Sequence, residues 1–171
     1  MKNSKAKVII AILLLAAMTV TMVACGDGSP IPYEGAKGAP YAGLYEMDRM
    51  NNSCSYSYSK GVNKFTINMK WRTEDENVDY AEYTDEYFLE WSMEDMGIYE
   101  LCKPVNDMSA LKNNKHSMKP GEDNEIKPDV DSYFDGLPMG YYRFVKVFNV
   151  HYKDGTTEQR VACFDFDLSG N

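Results

Sequence analysis

The stretch from Tyr141 to Val150 (Y-Y-R-F-V-K-V-F-N-V) constrains the fold more than any other part of the chain. It is almost entirely aromatic and β-branched, the composition that suits a pleated, packed surface rather than a helix. Apolar residues fill both alternation sets, with Tyr142, Phe144, Phe148 and Val150 on one and Tyr141, Val145 and Val147 on the other. A strand covered on both faces reads this way. Asp135-Gly136 and Pro138-x-Gly140 open the stretch with turn chemistry, because glycine accepts positive φ and proline presets the first corner. Asp154-Gly155 follows it, the strongest two-residue hairpin signal. Beyond that turn, Thr157 to Leu168 alternates: Ala162, Phe164, Phe166 and Leu168 share one face, Cys163, Asp165 and Asp167 the other. That is a half-buried strand with a wet side, so the C-terminal third is a hairpin closing a sheet.

The same period recurs upstream. Val62 to Arg72 places Phe65, Ile67, Met69 and Trp71 on one face, with Trp71 as a core anchor against the C-terminal hairpin. Tyr87 to Met93 places Tyr87, Leu89, Trp91 and Met93 together, and Ile98 to Cys102 starts another strand after a turn at Glu94-Asp95 and Gly97. Asn51 to Ser59 reads as an exposed edge strand, joined to the next by a turn at Lys60-Gly61. Tyr41 to Met50 is read as a first strand, with a short helix as the competing assignment. Thr73 to Asp79 is an acidic loop, Asn106 to Pro120 a long polar connection, and Glu125 to Val130 a short strand of the kind that crosses between sheets. About seven strands with turns at regular spacing predict a two-sheet all-β sandwich.

The first 24 residues read differently. Lys2, Lys5 and Lys7 precede a mostly apolar run from Val8 to Val23, the layout of a secretory signal. The run is short for a spanning helix, which needs about 20 residues, though an uncleaved anchor helix is the competing reading. Met22-Val23-Ala24-Cys25 resembles a bacterial lipobox, with methionine where leucine is commoner. That resemblance implies that Cys25 becomes an acylated (palmitate-bearing) mature N-terminus, holding residues 41–171 outside the cell membrane. Gly26 to Pro40 is rich in glycine, proline and small residues, so residues 25–40 are expected to be a flexible tether; an edge strand around Ile31 to Tyr33 is the alternative. Removing residues 1–24 removes three of the 18 basic residues and none of the 26 acidic ones, taking the formal charge from −8 to −11. Such a surface disfavours a nucleic-acid partner, whose phosphates want a basic face, and anionic lipid as well, so no nucleic-acid partner is expected.

Leu137, Gly140, Tyr142 and Phe144 form an L-x-x-G-x-Y-x-F pattern that looks like the turn before the penultimate strand of immunoglobulin-like sandwiches. There a tyrosine near the strand start bonds back across the corner. With Tyr87-Phe88-Leu89-Glu90, Lys119-Pro120-Gly121-Glu122 and C-F-D-F-D-L from Cys163, the chain from about Thr66 to Leu168 resembles the bacterial immunoglobulin-like domain of Firmicutes surface lipoproteins. The polar Asn106 to Ser117 segment departs from that family's pattern. The resemblance implies an immunoglobulin-like sandwich whose work is binding, cohesion or spacing at the cell envelope, with an envelope protein or glycan as partner and no catalysis of its own.

The chemistry-bearing residues agree with a non-enzymatic reading. Cys54, Cys102 and Cys163 lack zinc spacing and the only histidines are His116 and His151, so neither a metal site nor a cofactor is expected. Cys102 and Cys163 are the candidate disulfide pair. Asp129, Asp131 and Asp135 can chelate calcium through hard oxygens but match no EF-hand, and surface solvation is the favoured reading. No G-x-S-x-G turn is present. Tyr56 and Tyr58, with Tyr80, Tyr83 and Tyr87, are candidates for a stacking platform that would make a carbohydrate-binding module, the competing reading being ordinary strand tyrosines. An envelope enzyme, requiring a cleft with a buried acid, is the remaining alternative.

Overall fold

A computed structural model describes residues 32–47, 49–59, 62–92 and 98–168. In chain order the strands are β1 (Tyr45–Glu46), β2 (Met50–Ser59), β3 (Val62–Trp71), β4 (Val78–Thr84), β5 (Phe88–Ser92) and β6 (Glu100–Leu101). A 3-10 turn (Ser109–Asn113) precedes β7 (Lys115–Met118), β8 (Asp123–Ile126), β9 (Tyr141–Tyr152) and β10 (Thr157–Asp167). They form two packed sheets. The larger has the order β1-β10-β9-β4-β7, with β5 and then β6 flanking the other half of β9; the smaller has the order β2-β3-β8.

The doubly apolar stretch is β9, central in the larger sheet and buried on both faces. Its hairpin partner β10 pairs with it from Thr157↔His151 to Asp167↔Tyr141. Toward the smaller sheet, Phe144 and Phe166 meet Phe65 of β3, with ring centroids 5.2 and 4.9 Å apart. Phe65, Ile67, Met69 and Trp71 are all buried in this intersheet core, as the alternation predicts. Each such aromatic pair adds roughly 0.5–1.5 kcal/mol beyond the area it removes from water.

The other face of β9 is covered by residues that the sequence pattern assigns to a tether, together with Tyr41 just beyond it. Tyr33, Ala36, Ala39 and Tyr41 are buried against Val145 and Val161 in a second apolar cluster. Residues 32–40 are therefore not a free tether but a strap packed on the larger sheet. Small residues explain it: alanines at 36 and 39 let the backbone lie close to the strand surface, and their composition resembles that of a linker. Residues 1–24, the Cys25 lipidation site, the Lys60-Gly61 turn, Met93 and the Glu94–Gly97 turn lie outside the described residues.

Three further expectations are corrected. The strand expected over Tyr41 to Met50 is only Tyr45–Glu46, pairing parallel to β10, with Tyr41 turned into the second cluster. The acidic loop is shorter than expected, since β4 begins at Val78. The long polar connection holds the 3-10 turn and β7, which pairs with β4. Its polar composition reflects an edge position, where only Met118 of the strand is buried. Pro120-Gly121 then carries the chain across to β8 in the smaller sheet, the sheet-crossing strand expected near Glu125.

Strands β4 and β5 share one edge of β9 and are interrupted at Asp85–Tyr87. β4 pairs with β9 from Asn149 to Tyr152, and β5 from Tyr141 to Val145. The gap falls opposite Lys146.

Candidate functional site

The tyrosines proposed as one platform do not come together: Tyr87 is buried, its hydroxyl donating to the Asp129 carbonyl at 2.9 Å, and the other four are divided between the sheets. Tyr56 and Tyr58 stand on β2 in the smaller sheet, Tyr80 and Tyr83 on β4 in the larger. Tyr83 is buried against Phe148 at 5.2 Å, and Tyr80 lies flat on His151 at 4.4 Å. Tyr56 leans on Phe65 at 5.0 Å and donates to Asn63 Oδ1 at 3.0 Å, leaving Tyr58 as the one widely exposed ring of the four, at 63%. These rings fill the pleated surface, a role that alternation cannot separate from display.

The corner residues do come together. Tyr142, second in β9, donates its hydroxyl to the Pro138 carbonyl at 2.6 Å, and Phe144 follows it into the core. Leu137 packs against the same cluster. Gly140, at φ +148°, passes so close to β5 that a Cβ there would lie 2.5 Å from Trp91 Nε1 and 2.7 Å from the Ser92 carbonyl. Trp91 Nε1 in turn donates to the Met139 carbonyl at 3.3 Å. Burial raises the Tyr142 hydroxyl above its ordinary pKa.

Two fully buried charged side chains were not legible as such. Glu90 of β5 is 0% exposed and accepts three bonds from the strap: Tyr33 Oη to Oε2 at 2.7 Å, Tyr41 Oη to Oε1 at 2.6 Å and the Ala36 amide to Oε1 at 2.6 Å. Arg143, its ladder partner on β9, donates to Tyr33 Oη at 3.3 Å and to Asp165 at 2.6 Å. Desolvation raises the pKa of both tyrosines, keeping them as donors. Lys146 fills the gap between β4 and β5, donating to the Thr84 and Glu86 carbonyls at 2.6 and 2.9 Å, with Tyr83 under its ammonium. It thereby satisfies two carbonyls that the interrupted ladder leaves over. Burial pushes its pKa down to about 8, opposed by Asp85 and Glu86. Its phase is the available signal: Lys146 shares alternation with Phe144 and Phe148, a core register.

Cysteine and acid chemistry find no assembled site. Cys102 packs toward the intersheet core and Cys163 toward the strap cluster, on opposite faces of the larger sheet. The candidate disulfide between them is not formed, and Cys54, Cys102 and Cys163 are free. Burial pushes Cys54 and Cys102 up to about 11 and Cys163 to about 12, so the nucleophilic thiolate is scarce at neutral pH. His116 is paired with Asp85 at 2.7 Å and His151 with Glu82 at 3.2 Å. Asp131 accepts from Asn63, and Asp129 from Ser132 Oγ at 2.6 Å. Among the described residues no group of three or more His, Cys, Asp or Glu is placed to hold a metal ion.

Three recesses stand out among the described residues. One of about 360 Å³ is polar, lying over β2, β3 and β8. One of about 230 Å³ lies above Lys146, walled by Asp85, Tyr87, Asp129 and Tyr133. The third, about 260 Å³, is the most apolar: a groove between β6 and the Tyr142 corner, walled by Trp91, Leu101, Cys102, Val105, Phe134 and Leu137. Val105 is 60% exposed in it, and Met139 beside it 64%. A scan against family models finds no match to this chain, and a search of curated proteins finds none similar to it.

Proposed function

We propose that this chain is a non-catalytic, lipid-anchored domain of the immunoglobulin-like type, working by binding or cohesion on the outer face of a cell membrane. Treating β4 and β5 as one interrupted strand, seven strands remain beside the short β1 and β6. The first, second and fifth form one sheet and face the seventh, sixth, third and fourth, an order that supports the immunoglobulin-like reading. The Tyr142 to Pro138 bond at the start of the penultimate strand supports it too. Lys119-Pro120-Gly121-Glu122, one of the motifs carrying the resemblance, makes the sheet-to-sheet turn, with the Gly121 amide on the Trp71 carbonyl at 2.6 Å.

One observation favours binding over catalysis. The buried acid and buried base, Glu90 and Lys146, are each committed to the fold's own donors and carbonyls, while the corner groove presents an apolar floor and the exposed Val105 to solvent. An apolar floor with Glu100, Lys103 and Asp135 at its rim has the anatomy of a protein-binding patch. The anchoring test is metabolic labelling with palmitate. The full chain takes up label and sediments with membranes, and Cys25→Ala does neither; an unacylated chain recovered from the cytosol sinks the reading.

The carbohydrate-binding alternative draws on the recess above Lys146, where Tyr133 stands with Asp85, Asp129 and Lys127. Titration of envelope glycans against the full chain and Tyr133→Ala decides it: no glycan-dependent heat disposes of that alternative.

A further inference from the structure

The strap sets how far the domain can stand from its anchor. Its Tyr33, Ala36 and Tyr41 are bonded to the buried carboxylate of Glu90, so the chain is gripped from Tyr33 onward. Pro32 is already paired with Tyr45. From Cys25 to Pro32 there are seven residue steps, which fully extended reach about 25 Å at most. Had residues 26–44 all been free, the limit would be near 70 Å.

The apolar groove lies beside this strap. Leu101, which walls the groove, is the ladder partner of Glu90 and packs in the strap's cluster. Tyr99, just before β6, stacks on the Arg143 guanidinium at 4.3 Å, and Arg143 bonds Tyr33. The groove wall is thus one strand away from Glu90, which grips the strap, while Pro32 pairs with β1 at the far edge of the same sheet.

We propose that this groove docks an apolar segment of a membrane-associated protein, within the shallow layer that the short anchor allows. The inference rests on the lipid-anchored reading given above. A bilayer is a poor occupant, because a chain of formal charge −8, and −11 without residues 1–24, is repelled by anionic headgroups. A glycan is a poor one as well, because the floor's polar atoms, Trp91 Nε1 and the Tyr142 hydroxyl, are already committed to the Met139 and Pro138 carbonyls and leave few partners for sugar hydroxyls. A partner itself held at the membrane shares the thin layer that the short tether spans, which raises its local concentration at the groove.

The test uses the full chain in the membranes of the cell that makes it, with a photo-reactive phenylalanine analogue replacing Val105. The expected adduct joins the chain to a protein that itself carries a membrane span or lipid anchor. Inserting 20 Gly/Ser residues between Gly28 and Ser29 lengthens the tether from seven steps to 27 and lowers the local concentration roughly eightfold, and the adduct yield falls accordingly. Met139→Asp, at an exposed position on the groove's lip, abolishes the adduct while leaving the melting temperature unchanged. No adduct, an adduct to a glycan or a soluble protein, or a yield indifferent to the insertion or to Met139→Asp overturns the proposal. Intact mass on the same sample separates the two failures. An unacylated Cys25 sinks the anchoring reading and this inference with it, whereas an acylated chain without the expected adduct sinks this inference alone.

Discussion

Replacing Glu90 by glutamine is the sharpest test of how the strap is held. All three groups on the carboxylate are donors: two tyrosine hydroxyls and the Ala36 amide, at 2.6 to 2.7 Å. An ionised carboxylate can accept all of them. Glutamine keeps the shape but presents one oxygen and one NH2, so its amide oxygen can serve Tyr41 and Ala36 while its NH2 faces the Tyr33 hydroxyl. A bond to a charged acceptor contributes about 1.5–3 kcal/mol against about 0.5–1.5 for a neutral one, and a buried donor left without an acceptor costs about 1–3 kcal/mol. A neutral amide is cheaper to desolvate than a carboxylate, which offsets part of the loss. The net destabilisation of Glu90→Gln is about 3 kcal/mol. At about 2–4 °C per kcal/mol for a chain of this size, the melting temperature falls by about 6–12 °C. Trypsin cleavage after the exposed Lys37 reports the strap directly. If cutting follows the population of the opened strap, 3 kcal/mol raises its rate by about 100-fold, at about 1.4 kcal/mol per decade. A glutamine variant with unchanged melting and unchanged cleavage at Lys37 would refute the reasoning: the strap would then be held by its alanines and aromatic rings alone.

Other perturbations are equally direct. Tyr142→Phe removes the 2.6 Å bond to Pro138 and nothing else, so it costs about 1 kcal/mol in chemical denaturation, and no loss at all would mean the corner bond is not formed in solution. Gly140→Ala combines a φ of +148° with overlap on Trp91 and the Ser92 backbone; it costs more than about 3 kcal/mol, and a variant melting like the parent refutes the close approach. Stability also depends on alkaline pH. The folded thiols of Cys54, Cys102 and Cys163 stand at about 11 to 12 against 9.0 unfolded, so their contribution is full below pH 9 and is lost as pH rises through 11 to 12. Lys146 has the opposite sign. Its folded value of about 8 lies below 10.5, so the unfolded chain holds more protons between those values and stability rises with pH there. Three thiols outweigh one amine, and melting scans peak between pH 8 and 9 and decline above; Lys146→Met removes the rising limb, and a parent profile still climbing at pH 10 contradicts the assignment.

The alternation rule located the strands whose neighbours are ordinary. Val62 to Trp71 and Thr157 to Asp167 have one apolar face, and the doubly apolar Tyr141 to Val150 stretch lies at the centre of its sheet, because burial of each face acts on every second residue. The corner at Leu137 to Phe144 was legible because glycine, proline and tyrosine are needed there for local reasons. β4 and β7 were not legible. Val78–Thr84 mixes acids and tyrosines because one of its edges is taken by the marginal, polar β7, and Lys115–Met118 buries only one side chain. The candidate pair Cys102 and Cys163 is kept apart for a reason no spacing reveals: the two side chains pack on opposite faces of one sheet.

What the chain alone determines is periodic or local: the strands with one or two apolar faces, and the turns that glycine and proline impose. What only the tertiary structure decides is pairing at a distance. Glu90 is an ordinary strand acid until Tyr33 and Tyr41, some 50 residues earlier, close over it; Lys146 is an ordinary strand lysine until β4 breaks opposite it. A linker composition and a packed strap look alike in sequence, because small residues serve both flexibility and close approach. The buried carboxylate that separates the two belongs to another part of the chain.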